Sequence, residues 1–330
     1  FFSSSYNRCG ILITVKKIPQ LKGRTPMEET IFSSRELTKR YRDLAVDHVT
    51  LDIRPGQIFG LVGKNGAGKT TLIRMITGQT FPTSGEFSLF GQTGEHNLGK
   101  MRRRIGCMVE TPSFFPYLTA HDNLEFYRIQ RGIPGAENVD RLLAQVGLAD
   151  TGKKKFKNFS LGMKQRLGLA LALLGNPDFL VLDEPINGLD PMGIVEFRDV
   201  LLQMNREHGT TIMISSHILS ELANLATDFA FMDQGRLLEQ TSAQAIHDKC
   251  RSCLEIRVDN APMAATLLDT LGSAEYEVLP GNVIRLYSHM EDPQTISRML
   301  VNGGVALLSI DTRSSNLEDY FLNLMGGKQA

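Results

Sequence analysis

The sequence is poor in the features that mark several large protein classes. Four cysteines in 330 residues are too few and too scattered for a disulfide framework, which suits a reducing compartment. Cys250 and Cys253, with His247 nearby, lack a second ligand pair at zinc spacing, so ordinary thiols are expected there. Charge of neither sign is in excess, with 36 basic and 36 acidic residues, so no global field draws the chain to nucleic acid or to an anionic surface. The longest apolar stretch, Leu167 to Leu174, is interrupted by Gly168 and falls far short of the roughly 18 residues a membrane span needs. There is no internal repeat and no low-complexity tract. Residues 1–26 show no cleavage site after a long apolar region, so a signal peptide is not expected. They read as a disordered extension or a misplaced reading-frame start, with Met27 as the expected real start.

What the chain does have is 42% apolar residues, enough for one large α/β domain and a smaller one. The large one is organised around Gly63-Lys64-Asn65-Gly66-Ala67-Gly68-Lys69-Thr70, which joins the apolar run Gln57 to Val62 to the periodic segment Thr71 to Ile76. This is strand, glycine loop, helix. Glycines at 63, 66 and 68 let backbone N–H groups converge, and the helix start adds its free donors and positive dipole end. Such a nest holds phosphate oxygens, with Lys69 against the outer phosphates and the Thr70 hydroxyl a ligand for Mg²⁺.

Ahead of the loop, Ile31-Phe32 and Val46 to Ile53 read as short strands. Tyr41 lies between them. Its ring suits stacking on a purine base, and a half-buried surface tyrosine would read the same. Beyond the loop, Glu86 to Phe90 and Ile105 to Val109 read as strands, the second ending at Glu110. From Pro116 to Gly175 the spacing is helical. Within that stretch Ser160 is a fair N-cap and Gly162 leaves backbone donors uncovered, which suits either an anion-binding helix start or a plain capped core helix.

The apolar strand Phe179 to Leu182 ends in Asp183 and Glu184. Ligands of parallel sheets bind at the carboxyl ends of strands. Asp183 is therefore placed to hold Mg²⁺ through water, and Glu184 to orient or deprotonate the water that attacks a γ-phosphate. Asp190-Pro191 opens a helix to about His208, Thr211 to Ser215 is the next strand, and His217 at its end is a candidate γ-phosphate contact. A hairpin around Asp233-Gln234-Gly235 closes the domain. Past Glu239 a β-α-β-α-β succession suits a small α+β domain, followed by a capping box at Ser315 to Glu318 and a final helix carrying Leu317, Phe321 and Leu324.

Taken in order, this motif set resembles the ATP-binding subunits of ABC transporters over Thr30 to about Glu239. The resemblance makes Gly63 to Thr71 the Walker A loop, Tyr41 the adenine-stacking aromatic, Phe159 to Met163 the signature, Asp183 and Glu184 the Walker B pair, Gly188-Leu189-Asp190 the D-loop and His217 the switch histidine. It implies a P-loop ATPase core with an antiparallel β subdomain and a helical insert at about 116–175, filling 27–239, with a small α+β domain at 240–330. It also implies binding of ATP with Mg²⁺, and a head-to-tail homodimer in which Ser160, Gly162 and Asp190 complete the partner's site. Integral membrane permease subunits would be driven from the cytoplasmic face of the membrane, with no nucleic acid involved.

Two motifs depart from the common family pattern, with Glu110 where Gln is usual, and Leu161 and Met163 where the signature usually has Gly and Gln. A carboxylate at 110 still accepts a hydrogen bond from Mg²⁺-bound water but adds a negative charge beside the triphosphate. Both departures resemble the branch that protects cells against bacitracin and lantibiotics, so peptide export or resistance is the leading expectation. The rival class, a soluble ABC ATPase acting on a ribosome or on DNA, usually carries two cassettes or a long coiled coil, and this chain has neither.

Overall fold

A computed structural model describes residues 30–109, 113–250, 252–289, 291–313, 320, 321 and 324. In chain order it begins with β1 (Phe32–Arg40), β2 (Leu44–Ile53), β3 (Ile58–Val62), α1 (Lys69–Thr77), β4 (Ser84–Leu89), α2 (Glu95–Met101) and β5 (Ile105–Met108). The helices α3 (Ala120–Gln130), α4 (Glu137–Gln145) and α5 (Leu161–Leu173) come next. They lead to β6 (Phe179–Asp183), α6 (Pro191–His208), β7 (Thr211–Ser216), α7 (Leu219–Ala223), β8 (Asp228–Asp233), β9 (Arg236–Ser242) and α8 (Ala243–Lys249). The last part holds β10 (Cys253–Val258), α9 (Ala261–Asp269), β11 (Tyr276–Leu279), β12 (Val283–Leu286), α10 (Pro293–Asn302) and β13 (Leu307–Arg313).

The central sheet has the order β5-β6-β7-β3-β8-β9, parallel except for β9, which pairs antiparallel with β8. Its inner strands are apolar on both faces, as a sheet covered on both sides requires. Along β3, Ile58 and Val62 join a core shared with α3 to α7, whereas Phe59 and Leu61 face a second core containing α1 and the antiparallel sheet β2-β1-β4. The helical insert therefore caps one face of the central sheet and the small sheet the other. Thr119 opens α3 with a reciprocal cap to Asp122, and Asp190 opens α6 ahead of Pro191.

The C-terminal strands form a separate antiparallel sheet, β11-β12-β10-β13, with its own core of Leu254, Ile256, Leu268, Ile284, Leu286, Ile296 and Leu300. Its order is the split βαβ arrangement, β-α-β-β-α-β. The chain then returns to the central sheet. Phe321 lies 5.7 Å, ring to ring, from Phe231, and the Tyr320 hydroxyl donates to Glu239 Oε2 at 2.7 Å.

Several expectations need correction. The first strand does not stop at Phe32 but runs to Arg40, because pairing with β2 and β4 carries it through the polar Ser33 and Ser34. The C-terminal succession gains a strand, β11, a four-residue piece paired with β12. The helices α2, α7 and α8 were not expected. The N-terminal extension, Glu110 and the capping box at Ser315 to Glu318 lie outside the described residues.

Candidate functional site

The loop from Gly63 to Gly68 takes its shape from what lies beneath it. A Cβ on Gly63 would come 2.5 Å from Met232 O, and one on Gly68 would come 2.5 Å from Ala45 O, so side chains are excluded at both. Gly66 and Gly68 have φ of 82° and 101°, which L residues adopt only at a cost. The turn Gln234-Gly235 of the β8–β9 hairpin braces the loop from below, with Gly235 N donating to Ala67 O at 3.0 Å and Asp47 N donating to Gly235 O at 2.8 Å. Asp47 is buried and accepts from Arg236 Nε at 2.5 Å, with His48 Nδ1 2.6 Å from its other oxygen. The His48 imidazole and then the Arg236 guanidinium hold this carboxyl below the usual carboxylate range. Nothing in the sequence reading singled out this brace; its signal is a charged residue on each of two strands about half a chain apart.

Lys64, Asn65 and Gly66 form the exposed crest, Ala67 is buried, and Thr70 and Thr71 are half-buried on the first turn of α1. Lys69 points inward. Its ammonium donates to Gly63 O at 2.7 Å and to Lys64 O at 3.2 Å, and lies 3.2 Å from Glu184 Oε1. Glu184 follows β6 with φ 44°, and its N–H is held by Ser215 Oγ at 2.9 Å. The same hydroxyl donates to Asp183 Oδ1 at 2.6 Å. His217 Nδ1 lies 2.8 Å from Glu184 Oε2. Five expected residues are thus joined or aligned at adjacent strand ends: Lys69 after β3, Asp183 and Glu184 at the end of β6, and His217 after β7, with Thr70 beside Lys69. Ser215, one of a serine pair closing the buried strand β7, organises both acids and carries no sequence signal of that role.

The remaining candidates form a second set. Ser160 caps α5, its Oγ accepting from Met163 N at 3.3 Å. Leu161 packs so closely on Gly188 that a Cβ there would meet its Cδ2 at 2.7 Å, and Gly162 faces Leu189. Ser160, Gly162, Gly188 and Asp190 line one groove of about 640 Å³, which also admits Lys154 and Arg166. Arg166 pairs with Glu196, tying α5 to α6. The Asp190 carboxylate is committed to capping, accepting from Gly193 N at 3.1 Å. Tyr41 stands in the β1–β2 turn with 52% of its surface exposed, Lys39 over its ring at 4.8 Å and its hydroxyl 3.5 Å from Thr80 Oγ1 just past α1. No group of three or more His, Cys, Asp or Glu side chains suited to a metal occurs among the described residues. No helix among them is long and apolar enough to cross a membrane.

A glycine loop between a buried parallel strand and a helix, facing acids and a histidine at neighbouring strand ends, defines a P-loop nucleotide-binding ATPase. The ABC transporter family description matches residues 46–187. The chain is 41% identical over 300 residues to the bacitracin transport ATP-binding protein BcrA of Bacillus licheniformis, covering 90% of this chain and 98% of that one. It is 40% identical over 205 residues to the lantibiotic transport ATP-binding protein SrtF of Streptococcus pyogenes, covering 62% of this chain and 87% of that one. Among solved structures, cbiO1 from Clostridium perfringens, described as part of the ABC transporter complex cbiONQ, superposes with a TM-score of 0.61 at 27% identity. That match covers 67% of this chain and 92% of the other. The chain belongs to the ATP-binding proteins of ABC transporters, and it binds and hydrolyses ATP to drive transport.

Proposed function

We propose that this ATPase powers export of a peptide antibiotic of the bacitracin or lantibiotic type, and so protects the cell, through separate membrane subunits that it meets at the cytoplasmic face. The observation that carries this reading is the likeness to BcrA along almost its whole length, through the C-terminal sheet as well as the cassette. The match to SrtF covers a smaller share of this chain. That contrast supports a division into a cassette at 27–239 and an accessory domain at 240–330.

In this reading the loop N–H groups from Lys64 to Thr70 cradle the phosphates and Lys69 supplies the point charge. The Thr70 hydroxyl and the Asp183 carboxylate are hard oxygen donors of the kind Mg²⁺ selects, and the Ser215 hydroxyl fixes Asp183 for that task. The ion would neutralise charge on the triphosphate. Glu110, outside the described residues, is the further candidate ligand. Glu184 takes the proton of the attacking water, and His217 orients its carboxylate. The exposed Tyr41 ring receives the adenine.

The groove at Ser160, Gly162 and Asp190 is open to a second copy, which would present its nucleotide there in a head-to-tail homodimer. Glu184→Gln keeps the side chain's shape and removes the base, so hydrolysis should fall at least about 10²-fold while ATP still binds. That variant should run at twice the monomer mass when loaded with ATP; a monomer at high protein concentration refutes the sandwich. Coexpression with its membrane subunits should raise the bacitracin or nisin tolerance of a sensitive host. Unchanged tolerance with a working ATPase refutes the peptide substrate.

A further inference from the structure

The three donors of the Lys69 ammonium are all committed inside the protein. Two go to the loop carbonyls Gly63 O and Lys64 O, and the third faces Glu184 Oε1 at 3.2 Å. Lys69 is 4% exposed, so water cannot readily substitute for any of these partners. Glu184 is equally committed, with Oε1 on Lys69 and Oε2 on His217. Neither Glu184 carboxylate oxygen therefore faces an incoming water. Its backbone is fixed as well, at φ 44° with N–H held by Ser215, so the side chain can leave Lys69 only by turning about its own bonds.

A phosphate oxygen that takes Lys69 must displace one of these three partners. The two carbonyls belong to the loop that cradles the phosphate and cannot withdraw without undoing it. Glu184 is the partner that can move, and it is the one whose charge repels the incoming phosphate. We propose that Glu184 is an internal stand-in for phosphate: it competes with nucleotide for Lys69, and its displacement both admits the phosphate and frees the carboxylate oxygen that accepts the water's proton. Loading of the loop and arming of the base are then a single exchange of anions on one ammonium. An unloaded site holds both oxygens of its base engaged, and the nucleotide releases the group that will cleave it.

This inference rests on the roles given to Lys69 and Glu184 above, and the test separates the two. ADP, which has no bond for Glu184 to cleave, is titrated by calorimetry into metal-free protein and its variants. Glu184→Gln, which removes the competing charge, should bind ADP about threefold to tenfold more tightly, or about 0.65–1.4 kcal/mol at 1.4 kcal/mol per decade. Glu184→Ala should shift in the same direction, which covers the case in which the glutamine reaches back to Lys69. Asp183→Asn removes an equal charge one residue away that is tied to Ser215 rather than to Lys69, and should change ADP affinity less than about twofold. His217→Ala leaves the Lys69 pair in place and should also stay within about twofold. Equal gains for Glu184→Gln and Asp183→Asn would mean diffuse repulsion and overturn the proposal, as would unchanged or weaker ADP binding in both Glu184 variants. Should Glu184→Gln bind ADP more tightly yet keep full turnover, the exchange stands and the base assignment falls.

Discussion

Alanine at Gly68 should damage the protein far more than alanine at Gly66, although both glycines have positive φ in one short loop. At Gly66 a Cβ meets no heavy atom within 4 Å, so the cost is the left-handed backbone alone, about 1–2 kcal/mol. At Gly68 the same Cβ would sit 2.5 Å from Ala45 O and 3.3 Å from Gly235 Cα. Neither atom is the end of a flexible side chain. Ala45 leads into Val46 and Asp47, and Asp47 is fastened to Gly235 and Arg236, so relief requires shifting β2 or the β8–β9 turn. Overpacking of this kind adds about 1–3 kcal/mol, for a total of about 2–5 kcal/mol against a domain stability of about 5–15 kcal/mol. Urea unfolding followed by circular dichroism measures the stability loss, and ADP titration reads the loop itself. Gly66→Ala should keep measurable ADP binding while Gly68→Ala loses it. Equal losses for the two variants in both assays would refute the idea that contact from below, rather than backbone conformation alone, shapes the loop.

Other outcomes follow from single contacts. Asp47 titrates below its unfolded value, so it contributes stability above about pH 4 that is lost as pH falls through its folded value. Asp47→Asn should therefore flatten the acid limb of the stability curve, measured by urea unfolding between about pH 3 and pH 6. Ser215→Ala releases Asp183 and the Glu184 N–H together, and should cut ATP turnover about tenfold with ADP affinity in metal-free buffer little changed. Phe321→Ala removes a ring packed on Phe231 and should cost about 3 kcal/mol in urea unfolding, far more than a surface truncation would.

The parts legible in the sequence are those in which short-range chemistry decides the structure. The glycine spacing with Lys69 and Thr70 announced the loop, and the apolar run ending in Asp183 and Glu184 announced a strand end. Asp190 before Pro191 announced the start of α6 to the residue. The gaps arise where partners are remote. The first strand runs beyond Phe32 although Ser33, Ser34 and Arg35 carry no apolar alternation; pairing with β2 and β4 holds Ser33 and Ser34 extended, and the strand bulges at Glu36, where φ is 50°. Strand β11 is four residues at a sheet edge, too short for period and too exposed for hydrophobicity to mark it. The ion pair of Lys69 with Glu184 depends on β7 lying between β6 and β3, an order that strand patterns do not encode. The left-handed turn at Glu184 is likewise invisible, because glutamate has no preference for it.

The brace beneath the phosphate loop has a consequence for biosynthesis. Ala67 and Gly68 are shaped by Gly235, a residue about half the chain further on. A ribosome therefore releases the whole glycine motif long before it releases the turn that gives the motif its form. Until then β8, which lies directly beside β3, is also missing from the sheet. A nascent or truncated chain ending short of Gly235 carries every residue of the motif without the nest they make. Cellular ATP can then stabilise the finished cassette but cannot template its early folding.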